Sequence, residues 1–266
     1  MSKIDTSKEF VTALARGLDV IQAFSAERPE MTLSEVAAHT GLNAATVRRS
    51  LHTLMALGYV KQDRKQFVLT AKVLQLGAAF VQSMNLNQVA HIYLQVLADQ
   101  FHDASSLTIL DGNDVVYIAH IPSNRPARLR QFVGARMPAH AASTGYVLLA
   151  HESQEQLDQY LGQAPFPEFT PYTPIDKDQL LAKFAEAKAQ GYCIAQDAIA
   201  LGSIAIAVPV TDAQGNVVAA INCSADSTRV DRESLVETRL PHLINAARQI
   251  SEQLSRFPAL VNSIRA

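Results

Sequence analysis

Between Ala44 and Leu57 a helical repeat places Ala44, Ala45, Arg48, Arg49 and His52 on one side and Val47, Leu51 and Leu54 on the other. Small residues at the start of such a helix let its backbone approach a groove closely. Arg supplies donors for phosphate oxygens or guanine edges, so the chemistry on offer is contact with duplex DNA. A polar turn, Asp63-Arg64-Lys65, adds two cations suited to a neighbouring phosphate or minor groove. Far along the chain, Asn222 and Ser224 alternate with Ile221 and Cys223 as on a strand, which puts two polar groups on one sheet face amid apolar neighbours. Enclosed polar groups need partners, and a small molecule with hydroxyl or carboxylate oxygens would supply them.

Catalytic devices do not assemble in the same way. The sequence has no GxSxG elbow, no HExxH, no P-loop and no GxGxxG after a strand. Cys193 and Cys223, with His120 or His140, are the remaining material for a thiol–imidazole pair or a metal site, but the neighbours Ile194 and Ile221 favour buried, inert thiols. The eight histidines are scattered singly. Two cysteines without CxxC spacing support neither a disulfide framework nor structural zinc. The reading is therefore a binding protein without catalysis, metal or cofactor; a ligand-sensing or thiol-dependent enzyme with a winged-helix accessory domain is the alternative.

The elements that must position the DNA-facing residues are legible around them. Phe10, Leu14, Leu18, Ile21 and Phe24 form one apolar stripe on a first helix that ends near Arg28-Pro29. Thr32-Leu-Ser-Glu35 is a capping box opening a short second helix, which stops at Gly41; Asn43 then caps the third. Tyr59-Val-Lys-Gln and Gln66-Phe-Val-Leu69 read as two short strands about the basic turn. Helix, helix, Gly turn, helix and two-stranded wing is the order of a winged helix-turn-helix. Charge agrees: residues 1–75 hold ten Lys/Arg against seven Asp/Glu, a balance of +3, while residues 76–266 hold thirteen against eighteen, a balance of −5.

The 266 residues amount to about 1.8 ordinary domains, so two are expected. With 48% apolar and 18% charged residues the chain can bury a core. The uncharged runs Met137–His151 and Ala198–Thr211 are shorter than a spanning helix and interrupted by Pro or Gly, so no membrane partner is expected. The first residues lead into a charged amphipathic stretch rather than an apolar signal core, as expected of a cytoplasmic protein.

The second half reads as α+β. A helix carrying Val89, Ile92, Val96, Leu97 and Phe101 precedes strands Ser105–Leu110 and Val115–Ile121 about Asp111-Gly-Asn-Asp114, with Arg128–Val133 a further candidate strand. Asp176–Gln190 is a helix, Ser203–Thr211 and Val217–Ser224 form a hairpin about Asp212-Ala-Gln-Gly215, and Ser234–Phe257 is a closing helix.

Leu14-Ala-Arg-Gly-Leu-Asp-Val-Ile21, Leu33-Ser-Glu-Val-Ala37, Gly41-Leu-Asn-Ala-Ala-Thr-Val-Arg-Arg49 and Leu51-His-Thr-Leu-Met-Ala-Leu-Gly-Tyr-Val60 resemble, in order and spacing, the DNA-binding domain of the IclR family of bacterial transcription regulators. Val133-Gly-Ala-Arg-Met-Pro-Ala-His140, Ser143-Thr-Gly145, Ala205-Ile-Ala-Val-Pro-Val210 and Val217-Val-Ala-Ala-Ile-Asn-Cys-Ser224 extend the resemblance over Phe10 to Phe257. The resemblance implies a winged helix-turn-helix at 8–70, a linker helix at 71–86 and a GAF-like effector domain at 87–258, with an antiparallel sheet flanked by helices. Its DNA-facing residues would be Arg16, Ala44, Ala45, Thr46, Arg48, Arg49, His52, Arg64 and Lys65. Its effector site would comprise Ser143, Thr144, Gly145, Ser203, Ala205, Asn222 and Ser224, with Arg128 or Arg130 available to fork onto a carboxylate.

The linker helix, rich in Val73, Leu74, Leu76, Ala79, Phe80 and Val81, would help to form a homodimer or homotetramer on double-stranded operator DNA, with RNA polymerase a further partner. Many members carry a Glu-rich segment and Gly-x-Arg-Ser before the Ala-Val-Pro strand, whereas this chain has Gln196-Asp-Ala-Ile-Ala-Leu-Gly-Ser-Ile-Ala205, which leaves a more apolar rim. The pattern is most similar to the subgroup controlling hydroxybenzoate and protocatechuate catabolism in the β-ketoadipate pathway. That similarity implies an aromatic carboxylate as effector, with an aliphatic keto acid second.

Overall fold

In the computed structural model, which describes residues 10–83, 86–125, 129 and 131–255, short-range chemistry shapes the N-terminal end. Helix α1 spans Thr12–Gln22 and strand β1 spans Glu30–Thr32. Thr32 then opens α2, Leu33–Thr40: its backbone N–H donates to Glu35 Oε2 at 2.7 Å, and the Glu35 N–H donates to Thr32 Oγ1 at 3.4 Å. Gly41 ends α2 at φ 69°, a conformation costly for any residue with a Cβ. Asn43 Oδ1 accepts from the Thr46 N–H at 2.9 Å and starts α3, Ala44–Ala56. Strands β2, Val60–Asp63, and β3, Gln66–Leu69, form the wing, and β1 pairs with β3 to make a three-stranded sheet in the order β1-β3-β2. Ala71–Val73 is a 3₁₀ turn leading into α4, Leu74–Ser83.

The core of this end gathers Val20, Met31, Val36, Val47, Leu51 and Phe67. Here the expected stripe on α1 is corrected. Only Ile21 and Phe24 of that stripe pack against the core, whereas Leu14 is 64% and Leu18 44% exposed. The helix ends at Gln22, well before Arg28-Pro29. It meets its partners through Val20 and Ala23, one position round from the stripe, because α3 covers that side.

After Gln82 a second compact unit begins. Helix α5, Leu86–Phe101, precedes the hairpin of β4, Ala104–Asp111, and β5, Asp114–Ile121. Strand β6, Arg136–Pro138, a 3₁₀ turn at Ala139–Ala141, and helices α6, Ser143–Ala150, α7, Gln154–Leu161, and α8, Lys177–Gln190, follow. Strands β7, Cys193–Gln196, β8, Ser203–Thr211, and β9, Val217–Asp226, complete an antiparallel sheet in the order β6-β5-β4-β9-β8-β7. A short α9, Arg232–Ser234, and a π turn, Leu235–Arg239, lead into α10, Leu240–Leu254, where one continuous helix from Ser234 was expected.

One sheet face packs Leu107, Ile206 and Ile221 against α5 and α10; the other packs Tyr117, Ala207 and Ala220 under α6, α7 and α8. The fold is thus α+β with helices on both faces of the sheet. The expected strand Arg128–Val133 is not formed where it is described: Gln131–Val133 lie in a connection, and the edge strand is Arg136–Pro138. Its position is tied by Arg136, which donates to Asp111 and Asp114. Arg128 and Arg130 lie outside the described residues, as do the side chains of Ala79, Phe80 and Val81. Among the described residues no helix is long and apolar enough to cross a membrane.

Candidate functional site

The outer side of α3 is built as the spacing required. Ala44, Ala45, Arg48, Arg49 and His52 are exposed, while Val47, Leu51 and Leu54 face the core. Thr46 is a correction: it is only 6% exposed, buried beside Val47 on α3. Arg16 on α1 is half-buried. On the wing, Arg64 takes a left-handed φ of 54° and its carbonyl accepts from Gln62 Nε2 at 2.9 Å, which holds the tight turn and leaves Arg64 and Lys65 exposed. Lys61, on the adjoining strand, is exposed as well and had no motif to mark it.

Replacing both Arg64 and Lys65 by Ala should weaken binding to all duplexes and lower the slope of log affinity against log salt by about two, since each phosphate contact releases about one counterion. Fluorescence anisotropy over a salt series measures this. An unchanged slope would remove the wing from the interface.

The second candidate site lies under α6. Six of the expected residues, Ser143, Thr144, Ser203, Ala205, Asn222 and Ser224, line one small cavity between the sheet and the first turn of α6. Strand register explains the meeting: Asn222 faces Ala207 on one neighbour and Ser106 on the other, while Ser224 faces Ala205 and Ala104. Gly145 is the exception. It does not line the cavity; a Cβ there would lie 2.1 Å from the Ala139 carbonyl oxygen, so the glycine lets α6 pack onto the preceding turn.

Two polar atoms in the cavity are unpartnered. Ser143, 2% exposed, and Asn222, 4% exposed, leave Ser143 Oγ and Asn222 Oδ1 without hydrogen-bond partners. The residue before α6 is Ala142, which has no side-chain acceptor, so the first-turn N–H groups lack a cap. An acceptor suits that end and a hydroxyl donor suits Asn222 Oδ1. Ser106 Oγ lies 3.0 Å from His120 Nδ1, and burial lowers the His120 pKa from its ordinary value, which favours the neutral imidazole.

Residues that sequence reasoning missed close the space. Tyr117 brings its hydroxyl, which accepts from Gln131 Nε2 at 2.9 Å, and burial pushes its pKa up to about 12, so it stays protonated. Leu129, Gln131, Ala198 and Ile199 come from two connections on opposite sides. Tyr117 had one available signal: it shares a strand face with Val115, two residues earlier.

The thiols cannot form the alternative site. Cys193 belongs to the core under α6 and α8, Cys223 to the core under α5 and α10, so the sheet separates them. Burial pushes Cys193 up to about 12 and Cys223 higher still, so neither supplies thiolate. The imidazoles are engaged elsewhere: His140 Nε2 lies 2.9 Å from the Pro167 carbonyl oxygen, and its ring stacks on Phe166 and Phe169. Among the described residues no cluster of His, Cys, Asp or Glu could hold a metal.

Comparison with known proteins identifies the family of both halves of the chain. The IclR helix-turn-helix domain matches residues 13–64, and the bacterial transcriptional regulator IclR C-terminal domain matches residues 78–252. The chain is 39% identical over 247 residues to the Pca regulon regulatory protein of Pseudomonas putida, covering 92% of this chain and 85% of that protein. It is 34% identical over 249 residues to the p-hydroxybenzoate hydroxylase transcriptional activator of Acinetobacter baylyi, covering 92% of each. An IclR homolog from Microbacterium hydrocarbonoxydans, solved in complex with 4-hydroxybenzoate, superposes with a TM-score of 0.79 at 25% identity, covering 91% of this chain and 98% of that one. These relatives are transcription regulators and not enzymes. The chain belongs to the IclR family of bacterial transcriptional regulators, a DNA-binding winged helix followed by an effector domain.

Proposed function

We propose that the chain governs an operon for aromatic-acid catabolism from the cytoplasm, gripping operator DNA through α3 and the wing and sensing a hydroxybenzoate- or protocatechuate-type carboxylate under α6. The observation that carries the reading is the pair of unpartnered polar atoms, Ser143 Oγ and Asn222 Oδ1, in one small, partly apolar cavity. Relatives named for the Pca regulon and for p-hydroxybenzoate hydroxylase, and a structural neighbour holding 4-hydroxybenzoate, support the ligand class. In this arrangement Ser143 and the first turn of α6 take the carboxylate, and Asn222 or Ser224 meets the ring hydroxyl.

The cavity, about 30 Å³, is much smaller than the ~150 Å³ that holds benzene. Ring entry therefore has to draw Leu129, Gln131 and Ile199 apart, and that displacement is the event a regulator can transmit. Asn222→Ala or Ser143→Ala should weaken 4-hydroxybenzoate or protocatechuate about ten- to hundredfold, the cost of about 1–3 kcal/mol for one lost partner in an enclosed site. Calorimetry reads this directly. Unchanged affinity in both variants would place the pocket elsewhere.

Operator reading by paired helix-turn-helix modules requires a homo-oligomer, dimer or tetramer, and RNA polymerase is a natural further partner. Leu74, 76% exposed, and Leu76, 49% exposed, leave apolar surface on two sides of α4 that a second copy would bury. Light scattering should show at least a dimer, and Leu74→Glu with Leu76→Glu should lower the mass. A monomer that still held operator tightly would contradict the role of α4.

A further inference from the structure

The helix that carries the DNA-facing residues is finished by groups from the root of the linker. A helix leaves its last carbonyls without partners of its own. Two of those on α3 are taken locally: the Tyr59 N–H donates to the Leu54 carbonyl at 2.8 Å and the Gly58 N–H to the Met55 carbonyl at 2.9 Å, with Gly58 at φ 80°. The carbonyls of Leu57 and Gly58 are met from beyond the wing. Lys72 Nζ, fifteen residues on from Leu57, donates to its carbonyl at 2.8 Å, and Thr70 Oγ1 donates to the Gly58 carbonyl at 2.6 Å.

Lys72 is exposed, yet it is held on several sides. Its ammonium lies 5.2 Å from the centre of the Tyr59 ring, and its stem passes beside Gly58, where a Cβ would lie 3.7 Å from Lys72 Cδ. Its backbone N–H donates to Thr70 Oγ1 at 3.2 Å. The Thr70 N–H adds a bond to the Tyr59 carbonyl at 2.9 Å, one step beyond the Val60–Leu69 pair that joins β2 to β3. The cation also stands at the negative end of the α3 dipole. A lysine turned onto its own helix end is committed to a protein carbonyl rather than to a phosphate. It joins the last turn of α3 to the residues from which α4 starts at Leu74.

We propose that Lys72 is a positioning residue for operator reading: by tying the C-terminal end of α3 to the root of α4 it fixes how the two α3 helices of a dimer are set apart, and so the half-site spacing that the protein accepts. One added base pair moves a half-site by about 3.4 Å and turns it by about 35°. Rejecting so small a step needs a stiff path from α3 to the contact between copies, and Lys72 with Thr70 makes the joint at its start stiff. The inference rests on α3 entering the groove and on α4 meeting a second copy.

The test uses the full chain, a duplex drawn from a random pool as the parent's tightest binder, and the same duplex with one or two extra base pairs between its half-sites. Fluorescence anisotropy gives the ratio of affinities for the selected and the lengthened duplexes. Lys72→Met keeps an apolar stem and removes the donor. It should bind the selected duplex about three- to tenfold more weakly, the range of a lost cation at a helix end, and bring the ratio down towards one. Lys72→Arg, which can donate to the same carbonyl, should recover most of the ratio. Melting temperature and the slope of log affinity against log salt should hardly move in either variant. A ratio in Lys72→Met that stays at the parent value overturns the proposal, as does a salt slope lowered by about one, which would make Lys72 a phosphate contact. A melting temperature that falls with the affinity, with neither recovered by Lys72→Arg, would reduce Lys72 to a support of the fold and overturn it too. If the parent itself shows no preference for spacing, paired reading by α3 fails, and the proposal fails with it.

Discussion

Arg48→Ala with Arg49→Ala should all but abolish operator binding while thermal unfolding of the protein barely moves. Both side chains are exposed on α3, where Val47, Leu51 and Leu54 already anchor the helix, so removing them takes nothing from the core. Surface changes of that kind stay within about 0.5 kcal/mol of the parent stability. Each contact to a base edge or phosphate is worth about 1–3 kcal/mol, so two lost together cost about 2–6 kcal/mol, or roughly thirtyfold to more than ten-thousandfold in affinity. Mobility shift on operator DNA, paired with a melting curve, separates the two effects. Full affinity in the double variant would end the assignment of α3 as the recognition helix. Loss of affinity together with a fallen melting temperature would mean that the arginines hold the fold instead.

That prediction was available before any coordinates because the determinants of α2 and α3 are local. A Thr hydroxyl, a Glu three residues on, a Gly that adopts positive φ and an Asn that caps the next helix each act within four residues, and all four do what their types imply. The side on which α1 buries is different in kind. Leu14 and Leu18 form as good a stripe as Val20 and Ala23, and only the position of α3 decides between them. β1 escaped notice for a related reason: three residues show no period, and Met31 is a strand residue only because Phe67 lies opposite.

The effector domain divides along the same line. The β8–β9 hairpin was legible because Asp212 Oδ1 gathers the N–H groups of Gln214 and Asn216 within one turn. The alternation in Arg128–Val133 suggested a strand, yet the edge position went to Arg136–Pro138, where an ion pair to Asp111 and Asp114 joins segments some twenty residues apart. In the cavity, alternation put Asn222 and Ser224 on one face, and resemblance supplied Ser143. Tyr117 and Gln131 reach the same space from a different strand and a connection, and beyond the face that Tyr117 shares with Val115 nothing in their immediate neighbours announces it.

Gly145 shows how a residue can be marked correctly and for the wrong reason, and it supports the second large effect. Resemblance placed it among effector contacts, but the structure gives it to packing: a Cβ would lie 2.1 Å from the Ala139 carbonyl oxygen and 2.6 Å from its Cα, and both are backbone atoms that cannot rotate away. Gly145→Ala should therefore lever the start of α6 off the Ala139–Ala141 turn. Overpacking a buried site costs about 1–3 kcal/mol, sometimes more, and at about 2–4 °C per kcal/mol the effector domain should melt several degrees lower. Because Ser143 sits two residues earlier in the same turn, the carboxylate end of the cavity moves with it, and effector affinity should fall by at least the hundredfold ceiling of Ser143→Ala. The two variants then differ in kind. Ser143→Ala should lose affinity at nearly unchanged melting temperature, whereas Gly145→Ala should lose both together, and raising the effector concentration should restore little of the lost stability. A Gly145→Ala protein that melts like the parent and binds no effector would return the glycine to the ligand-binding set, and the close approach of α6 to Ala139 would then not be what fixes the pocket.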